Sequence, residues 1–275
     1  MKNRIIFILN WSFRVLLRIP SFDKAADIFL KVCLDRKMRV QHLNTELWLS
    51  IPNLLNKSRA TTFSSKEPET LRWIDSLPYR STLWDIGANV GLYSCYAAKS
   101  RDCRVYAFEP SVFNLEILAR NINLNSLSDR VTLFPLPLCQ KMETQSLNMS
   151  SMEWGGALST FGEDFGHDGK CINKIFSFQT LGVSMDDTAD KFGIPLPDYV
   201  KMDVDGLEHL ILKGGIDVLN HVKGILVEIN DEFLEQVEES AASLKQAGFR
   251  LVEKAHSELV HNSVFSCAYN QIWEK

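Results

Sequence analysis

The stretch Thr82-Leu83-Trp84-Asp85-Ile86-Gly87-Ala88-Asn89-Val90-Gly91 decides the fold of this chain. A short apolar run ends in an acid, a glycine turn follows, and a helical pattern begins at Leu92. This order predicts a buried strand, a tight turn and a helix, which is the local geometry that nucleotide cofactors use. A second apolar run, Val105–Phe108, ends at Glu109, whose carboxylate we expect to accept hydrogen bonds from ribose hydroxyls.

The glycine spacing after this strand distinguishes two classes of cofactor. A dinucleotide fingerprint requires glycines at its first, third and sixth positions, and counted from Gly87 these positions hold Gly87, Asn89 and Leu92. The observed spacing is instead Asp85-x-Gly87-x-Asn89-x-Gly91, which resembles the first motif of class I methyltransferases that bind S-adenosylmethionine. A tight turn between a strand and a helix in another kind of α/β protein is the alternative interpretation.

The alternation of strand and helix patterns from Ser81 onward predicts an α/β fold with a doubly wound, mostly parallel, Rossmann-like sheet of seven strands. The last two strands are expected to form an antiparallel closing pair. The run Ile175–Val183 is predicted as a further strand. The predicted strands of the sheet are 82–86, 105–108, 131–134, 198–204, 225–229, 249–252 and 264–273.

A second informative stretch lies at 199–215. Apolar strand residues lead to Asp203, a turn follows at Asp205-Gly206, and a helix then begins. Because the carboxyl ends of neighbouring strands face one crevice, we expect Asp203 to lie beside the turn at Gly87. Asp205, Glu208 and His209 are expected to cluster around the second turn. Three acids and an imidazole beside a cofactor site indicate a chemical role, whereas a place on the helix surface is the alternative for His209.

Taken together, these two stretches resemble the FkbM-type methyltransferase family. The resemblance covers about residues 80–255 and leaves the first 60 residues unexplained. Its motifs are Asp85-Ile-Gly87-Ala-Asn89-Val-Gly91, Phe108-Glu109-Pro110, Lys201-Met-Asp203-Val-Asp205-Gly206-Leu-Glu208, Leu212-Lys213-Gly214-Gly215 and Val227-Glu228-Ile229-Asn230.

The sequence departs from the family pattern at two places. Asp205 stands where the family more often has glutamate, which keeps the charge but shortens the reach of the side chain by one methylene. The segment Leu136-Pro137-Leu138-Cys139 lacks the acid that many class I enzymes use on the adenine amino group. Contacts to adenine in that segment would therefore be apolar or made by the main chain.

The resemblance implies methyl transfer from S-adenosylmethionine, usually to a hydroxyl oxygen of a sugar, a polyketide or a similar small molecule. Such a reaction needs the acceptor oxygen held in line with the sulfonium methyl group, and a base near that oxygen helps. The residues implied for the cofactor are Asp85, Gly87, Asn89, Gly91, Glu109, Pro110, Asn114 and Asp203. The catalytic candidates are Asp203, Asp205, Glu208 and His209.

Several alternatives stay open at this point. The acids could act as a base, together with or instead of His209, or they could hold a divalent metal that acidifies the acceptor hydroxyl. A nicotinamide-dependent oxidoreductase is a rival enzyme class, although the broken glycine spacing and the lack of a Tyr-x-x-x-Lys pair argue against it. A scaffold that binds S-adenosylmethionine without catalysis is the other rival, and the acidic cluster at 203–209 argues against it.

The chain is expected to divide near residue 65 into a helical N-terminal extension (1–65) and a methyltransferase domain (66–275). The polar, proline-interrupted segment 61–68 marks the boundary. Residues 21–60 show helical spacing of apolar residues. Residues 141–172 are polar, rich in glycine and dotted with aromatic residues, which is typical of an insertion that acts as a lid or a binding loop. A disordered surface loop is the alternative.

The charge of the chain is unevenly distributed. Its net charge of -4 gives no reason to expect a nucleic-acid partner, but residues 1–60 carry 11 Lys or Arg against 4 Asp or Glu. The longest uncharged stretch near the N-terminus, residues 5–13, is too short to cross a membrane. Residues 1–19 are therefore expected to form a helix that packs on the main domain or one that lies on an anionic membrane surface.

The six cysteines form no Cys-x-x-Cys pair and no cluster with histidine, so a disulfide framework and a structural zinc site are not expected. They are interpreted as buried thiols in a reducing compartment, which predicts a cytoplasmic protein. The N-terminus of this cytoplasmic protein could in addition contact a membrane.

Overall fold

The computed structural model describes residues 12–17, 19–256 and 266–275. A seven-stranded sheet with the order β11-β12-β10-β9-β3-β4-β5 forms the centre of the molecule. All neighbouring strands of this sheet run parallel except β12, which is antiparallel to both β10 and β11. The predicted doubly wound sheet of seven strands and its antiparallel closing pair are therefore confirmed.

The strands and helices have the following bounds. The strands are β1 (Lys37–His42), β2 (Thr45–Ser50), β3 (Thr82–Ile86), β4 (Arg104–Phe108), β5 (Val131–Phe134), β6 (Glu143–Met149), β7 (Ser159–Phe161), β8 (Phe176–Gly182), β9 (Tyr199–Met202), β10 (Gly224–Asn230), β11 (Arg250–Ala255) and β12 (Ala268–Glu274). The helices are α1 (Pro20–Leu34), α2 (Leu54–Thr61), α3 (Pro68–Ser76), α4 (Leu92–Arg101), α5 (Val112–Leu124), α6 (Met185–Phe192), α7 (Glu208–Lys213), α8 (Ile216–His221) and α9 (Leu234–Gln246).

Both faces of the central sheet are buried. Successive residues of β3 point to opposite faces, so Leu83 belongs to one apolar cluster, whereas Trp84 and Ile86 belong to the other. This burial on both faces explains why the parallel strands appear as nearly continuous apolar runs in the sequence.

The expectation that the cysteines are buried is correct for three of the six. Cys95, Cys103 and Cys139 are buried, whereas Cys33, Cys171 and Cys267 are not.

The N-terminal region contains strands that the sequence patterns did not predict. Residues 37–50 form an antiparallel hairpin of β1 and β2, with Lys37 opposite Ser50 and His42 opposite Thr45. The helical interpretation of residues 21–60 is therefore wrong for the hairpin, although it is correct for α1 and for most of α2. Residues 1–11 and 18 of the predicted N-terminal helix lie outside the described residues, and so do residues 264–265 of the predicted last strand.

The segment 141–172, which the sequence predicts to be an insertion, contains strands β6 and β7. Strand β6 pairs antiparallel with both β7 and β8, which gives a second sheet of three strands. Strand β8 corresponds to the further strand predicted at 175–183. The connection between β6 and β7, residues 150–158, is called the covering loop below. Its function as a lid stays a prediction, as does the division of the chain at residue 65.

Two asparagines of α5 attach the N-terminal hairpin to the central fold. The Asn121 side chain accepts a hydrogen bond from the Ser50 amide at 2.7 Å and donates one to the Val90 carbonyl at 2.7 Å. The Asn125 side chain accepts from the Trp48 amide and donates to the Trp48 carbonyl, at 2.9 Å and 2.8 Å. The free edge of β2 is therefore satisfied by side-chain amides rather than by another strand.

We expect Asn121→Ala to lower the free energy of unfolding by about 2–4 kcal/mol, because it leaves the buried amide of Ser50 and the carbonyl of Val90 without partners. Urea unfolding followed by circular dichroism measures this change. Asn123→Ala is the matched control, because Asn123 is exposed on the same helix and should change stability by less than about 0.5 kcal/mol. Equal effects of the two substitutions would show that the asparagine attachment contributes nothing.

Candidate functional site

The candidate site lies where the carboxyl ends of β3, β4, β9 and β10 meet. The order of the strands reverses between β3 and β9, and open α/β sheets bind their ligands at such a switch point. Two cavities open there, one of about 370 Å³ and one of about 60 Å³. The residues that line both cavities are Gly87, Asn89, Ala157, Asp203 and Asp205.

The turn after β3 packs closely against the end of β9. Gly87 has a φ of +80°, and a Cβ atom at this position would lie 1.8 Å from the carbonyl oxygen of Asp203. The Asp203 amide in turn donates a hydrogen bond to the Ile86 carbonyl at 3.0 Å. A side chain at position 87 would therefore separate the two strand ends, which explains the glycine. Gly91 ends the same turn, and a Cβ atom at this position would lie 2.1 Å from Leu118 Cδ1, so a side chain is excluded here as well.

A buried lysine lies between the two strand ends. Lys201 is paired in register with Asp85 on the neighbouring strand, and its Nζ atom lies 3.5 Å from Asp85 Oδ1 and 3.4 Å from Asp203 Oδ2. Burial alone would lower the pKa of Lys201, but the surrounding carboxylates, of which Asp203 and Asp85 act most strongly, raise it overall. The lysine is therefore a fixed positive charge.

Asp85 lies beneath the cavities rather than in their walls. Its Oδ2 atom accepts a hydrogen bond from Ser94 Oγ at 2.5 Å, and Asp85 lines neither cavity. Its Oδ1 atom is buried and has no hydrogen-bond partner among the described residues, although Lys201 is close to it. Asp85 therefore adjoins the larger cavity through its partner Lys201, which lines it, and the predicted contact of Asp85 with a cofactor stays a prediction.

Glu109 is buried at the end of β4 and lines the smaller cavity with Pro110 and Asn114. Its carboxylate accepts hydrogen bonds from the amides of Asn89 and Ser111, both at 2.8 Å, and from Asn114 Nδ2 at 3.4 Å. Burial raises the pKa of Glu109 to about 7, against the opposing effect of these donors. Its Oε2 atom accepts only the Asn89 amide among the described donors, so one lone pair remains for a further donor.

The two acids at the junction of the cavities differ in their surroundings. Asp203 keeps 28% of its side chain exposed and pairs with Lys201. Asp205, which has a φ of +59°, accepts a hydrogen bond from the Leu158 amide at 2.7 Å. Burial, followed by the charge of Asp203, raises the pKa of Asp205 to about 6. The expected position of Asp203 beside the turn at Gly87 matches the structure, whereas the catalytic roles of Asp203 and Asp205 stay predictions.

Glu208 and His209 do not join this group, since neither lines either cavity. The Glu208 carboxylate accepts hydrogen bonds from the amides of Val204 and Gly206, at 2.9 Å and 3.0 Å, and from Gln236 Nε2 at 2.5 Å. It therefore holds the turn before α7 in shape. The expected cluster of three acids and an imidazole is corrected to two acids, because Glu208 turns back towards its own backbone.

His209 is packed inside the protein on the side of α9. Its ring faces Phe165 and Phe233, with centroids 6.4 Å and 5.5 Å away, and burial lowers its pKa. Its Nε2 atom lies 3.9 Å from Glu239 Oε2. His209 is therefore a core histidine rather than a helix-surface residue or a residue of the cavities.

The metal alternative finds little support in the placement of possible ligands. Among the described residues, His209, Glu235 and Glu239 are grouped closely enough to hold an ion, with ligand atoms within 4.8 Å of one another. This group lies outside the cavities, and Lys213 Nζ lies 2.5 Å from Glu239 within it. The acids of the cavities form no such group in the part of the chain that the structure describes.

The sequence patterns did not predict several of the residues that line the larger cavity. Lys66 and Glu67 were interpreted as part of a polar boundary, yet Glu67 is buried and pairs with Lys66 at 2.7 Å. Burial alone would raise the pKa of Glu67, but the charges of Lys66 and Lys201 outweigh it and lower the pKa overall. Lys201 could have been found, because a lysine within the apolar run of a buried strand needs carboxylate partners. Glu228, which the sequence places in a family motif without a role, also lines this cavity.

The covering loop is bound to the site by its main chain. The Gly156 carbonyl accepts hydrogen bonds from the side chains of Asn89 and Asn114, at 2.9 Å and 3.0 Å. The Gly155 amide donates to Asn114 Oδ1 at 3.0 Å, and its carbonyl accepts from Arg59 Nη2 at 2.6 Å. The loop thereby covers the junction of the two cavities and links the cofactor-side residues to α2.

Both a family model and a known protein that match this chain are methyltransferases. A family model described as the Methyltransferase FkbM domain matches residues 85–251. The hexuronic acid methyltransferase AglP of Haloferax volcanii is 30% identical over 148 residues, which make up 54% of this chain and 55% of AglP, so the chain spans about half the length of this relative.

Two solved structures are among those similar to this chain. The methyltransferase FkbM from Methylobacillus flagellatus KT is 15% identical, with a TM-score of 0.47 and coverage of 80% of this chain and 52% of that chain. TYW2 of P. horikoshii, solved in complex with MeSAdo, is 12% identical, with a TM-score of 0.49 and coverage of 87% of this chain and 70% of that chain.

The raised pKa of Asp205 predicts a pH-dependent stability. The folded protein keeps the proton of Asp205 at pH values at which the unfolded chain has released it, so ionisation opposes folding as the pH rises from about 4 to about 6. We expect Asp205→Asn to gain stability relative to the wild type across this interval, by up to about 3 kcal/mol. Urea unfolding at several pH values measures the difference. Asp190→Asn, at an exposed position, is the control, and parallel curves for Asp205→Asn and wild type would contradict the prediction.

Proposed function

Because the chain belongs to the FkbM methyltransferase family, we propose that it transfers the methyl group of S-adenosylmethionine to a hydroxyl oxygen of a sugar or a related small molecule. One observation carries this proposal: Asp203 and Asp205 line both cavities, so groups bound in the two cavities meet beside two carboxylates. The relative AglP is named for hexuronic acid, which supports a glycan as the acceptor class.

The lining of the smaller cavity, rather than its volume of about 60 Å³, suits the nucleoside part of the cofactor. The free lone pair of Glu109 Oε2 can accept a ribose hydroxyl, and Pro110 and Asn114 lie beside it. Phe108, Leu136 and Leu138 line the same cavity and offer an apolar place for adenine. When bound, S-adenosylmethionine supplies a methyl group that its sulfonium centre has already activated.

The larger cavity suits the amino-acid end of the cofactor together with the acceptor. Gly87, Ala88 and Asn89 form its wall on the side of the turn. Lys201, with its fixed positive charge, lines the same cavity and can receive a carboxylate. Tyr93, Glu67 and Glu228 are among the other polar residues of the wall, which offers hydrogen-bonding groups for a hydroxylated acceptor.

In this proposal the chain contributes positioning and a proton acceptor. A neutral alcohol is a weak nucleophile, so a carboxylate that takes its proton promotes the attack. Asp203 is the best placed group, because it is partly exposed at the junction and is held by Lys201 and by the Ile86 carbonyl. Asp205 stands next to it, and the covering loop limits the access of water to both.

At pH 8.5, above the pKa of about 7 for Glu109, we expect Glu109→Gln to weaken the binding of S-adenosylhomocysteine at least about tenfold, because a charged acceptor of a ribose hydroxyl becomes a neutral amide. Isothermal titration calorimetry measures the dissociation constant. Glu116→Gln is the matched control, since Glu116 is exposed on α5 and pairs with Arg120 at the surface. Tight binding of NAD without binding of S-adenosylhomocysteine would instead favour the oxidoreductase alternative.

We expect Asp203→Asn to lower kcat by about 10²–10⁴-fold, which is the usual contribution of a general base, with a much smaller change in cofactor affinity. The assay follows transfer of a labelled methyl group to a panel of uronic acids and neutral sugars, with Asp190→Asn as the control. Equal turnover by wild type and Asp203→Asn would remove the proton-acceptor role. Cofactor binding without any methylated product across the panel would favour the scaffold alternative.

A further inference from the structure

The N-terminal helix α1 presents an apolar face that nothing in the described structure covers. Ile28, Phe29 and Val32 are each between 60% and 66% exposed, which is unusual for large apolar side chains that lie side by side. Residues 12–17, which precede α1, continue this character, because Phe13 and Leu17 are also exposed. This surface plays no part in the two cavities.

Helix α1 is amphipathic. At 100° per residue, Ile28, Phe29 and Val32 fall on one side of the helix. The charged residues fall together in a separate sector of the helix that adjoins Ile28, where Lys31 bonds Asp27 at 2.7 Å, and this charged set is Asp23, Lys24, Asp27 and Lys31. A helix with one apolar face and one charged face that stays in water is the kind that lies in the plane of a membrane interface. No helix among the described residues is both long enough and apolar enough to span a bilayer.

We propose that α1 and residues 12–17 dock on an anionic lipid surface. Residues 1–40 carry nine Lys or Arg against three Asp or Glu, so this segment complements a negatively charged surface. A second copy of the chain is a poorer occupant, because pairing two such faces brings two segments of the same charge together. The apolar face enters the interface, and the basic residues bind the lipid head groups.

The docking surface is firmly connected to the rest of the molecule. Only Asp35 and Arg36 separate α1 from β1, and the Ile51 amide donates a hydrogen bond to the Arg36 carbonyl at 2.8 Å. The hairpin that follows is attached to α5 through Asn121 and Asn125. Docking of α1 therefore holds the whole folded chain at the surface, and this inference does not depend on the proposed reaction.

Vesicle sedimentation of the full chain tests the proposal. We expect binding to vesicles that contain phosphatidylglycerol, weaker binding to vesicles of phosphatidylcholine alone, and loss of binding at high salt. The double variant Ile28→Asp and Phe29→Asp should weaken the partition constant at least about tenfold, because two apolar anchors are removed. The matched control is Ile216→Asp with Leu234→Asp, which changes two side chains of similar exposure, 58% and 68%, and adds the same charge elsewhere.

Three results would overturn the proposal. The first is equal binding by the two double variants, and the second is failure of the wild type to bind either kind of vesicle. The third is a concentration-dependent dimer in sedimentation velocity without lipid that the Ile28→Asp and Phe29→Asp variant abolishes, because this result assigns the face to a second copy. An unchanged thermal unfolding midpoint of both variants establishes that they are folded.

Discussion

The ion triad of Lys201, Asp85 and Asp203 is the constraint on which the rest of the site depends. The lysine is buried on the strand next to Asp85, and a buried ammonium group without carboxylate partners would cost several kcal/mol. Its two partners come from different strands, so the charge balance requires that the ends of β3 and β9 stay together. The same contact leaves no space for a side chain at Gly87. The position of Asp203 at the junction of the cavities is therefore a consequence of how the charge of Lys201 is balanced.

The sequence predicted those parts of the molecule that depend on local patterns. Apolar runs, the glycine turn at Gly87 and the acids that follow each strand gave the central sheet and brought Glu109 and Asp203 to one edge of it. It did not predict which way a side chain faces once a turn has ended. Glu208 and His209 adjoin the turn in sequence, yet Glu208 turns back to the amides of Val204 and Gly206, and His209 packs against phenylalanine rings. Such directions are set by tertiary packing, which sequence spacing does not contain.

Features that depend on contacts between distant segments were missed for the same reason. The hairpin of β1 and β2 is short, lies between two helical patterns, and has its free edge satisfied by Asn121 and Asn125, more than 70 positions away. Likewise, Lys66 and Glu67 appear in the sequence as a polar boundary, because only the folded chain brings them towards Lys201. A polar segment next to a proline is thus compatible both with a linker and with the wall of a cavity.

The covering loop shows how the N-terminal region becomes part of the site. Most described contacts that hold it join main-chain groups of the loop to side chains outside it: the Trp154 carbonyl accepts from Asn53 and Asn56, and the Gly155 carbonyl from Arg59. Of the loop side chains, Glu153 takes part by accepting a hydrogen bond from Asn53 Nδ2 at 3.1 Å. Attachment mainly through the main chain fixes the path of the loop and leaves other side chains available to contact a ligand. Asn53, Asn56 and Arg59 belong to α2 and its N-cap, whereas Asn114 and Asp205 belong to the central fold, so both parts hold the loop. Among the first 60 residues, which the family resemblance leaves unexplained, Leu55, Ser58 and Arg59 of α2 therefore contribute to the wall of the larger cavity.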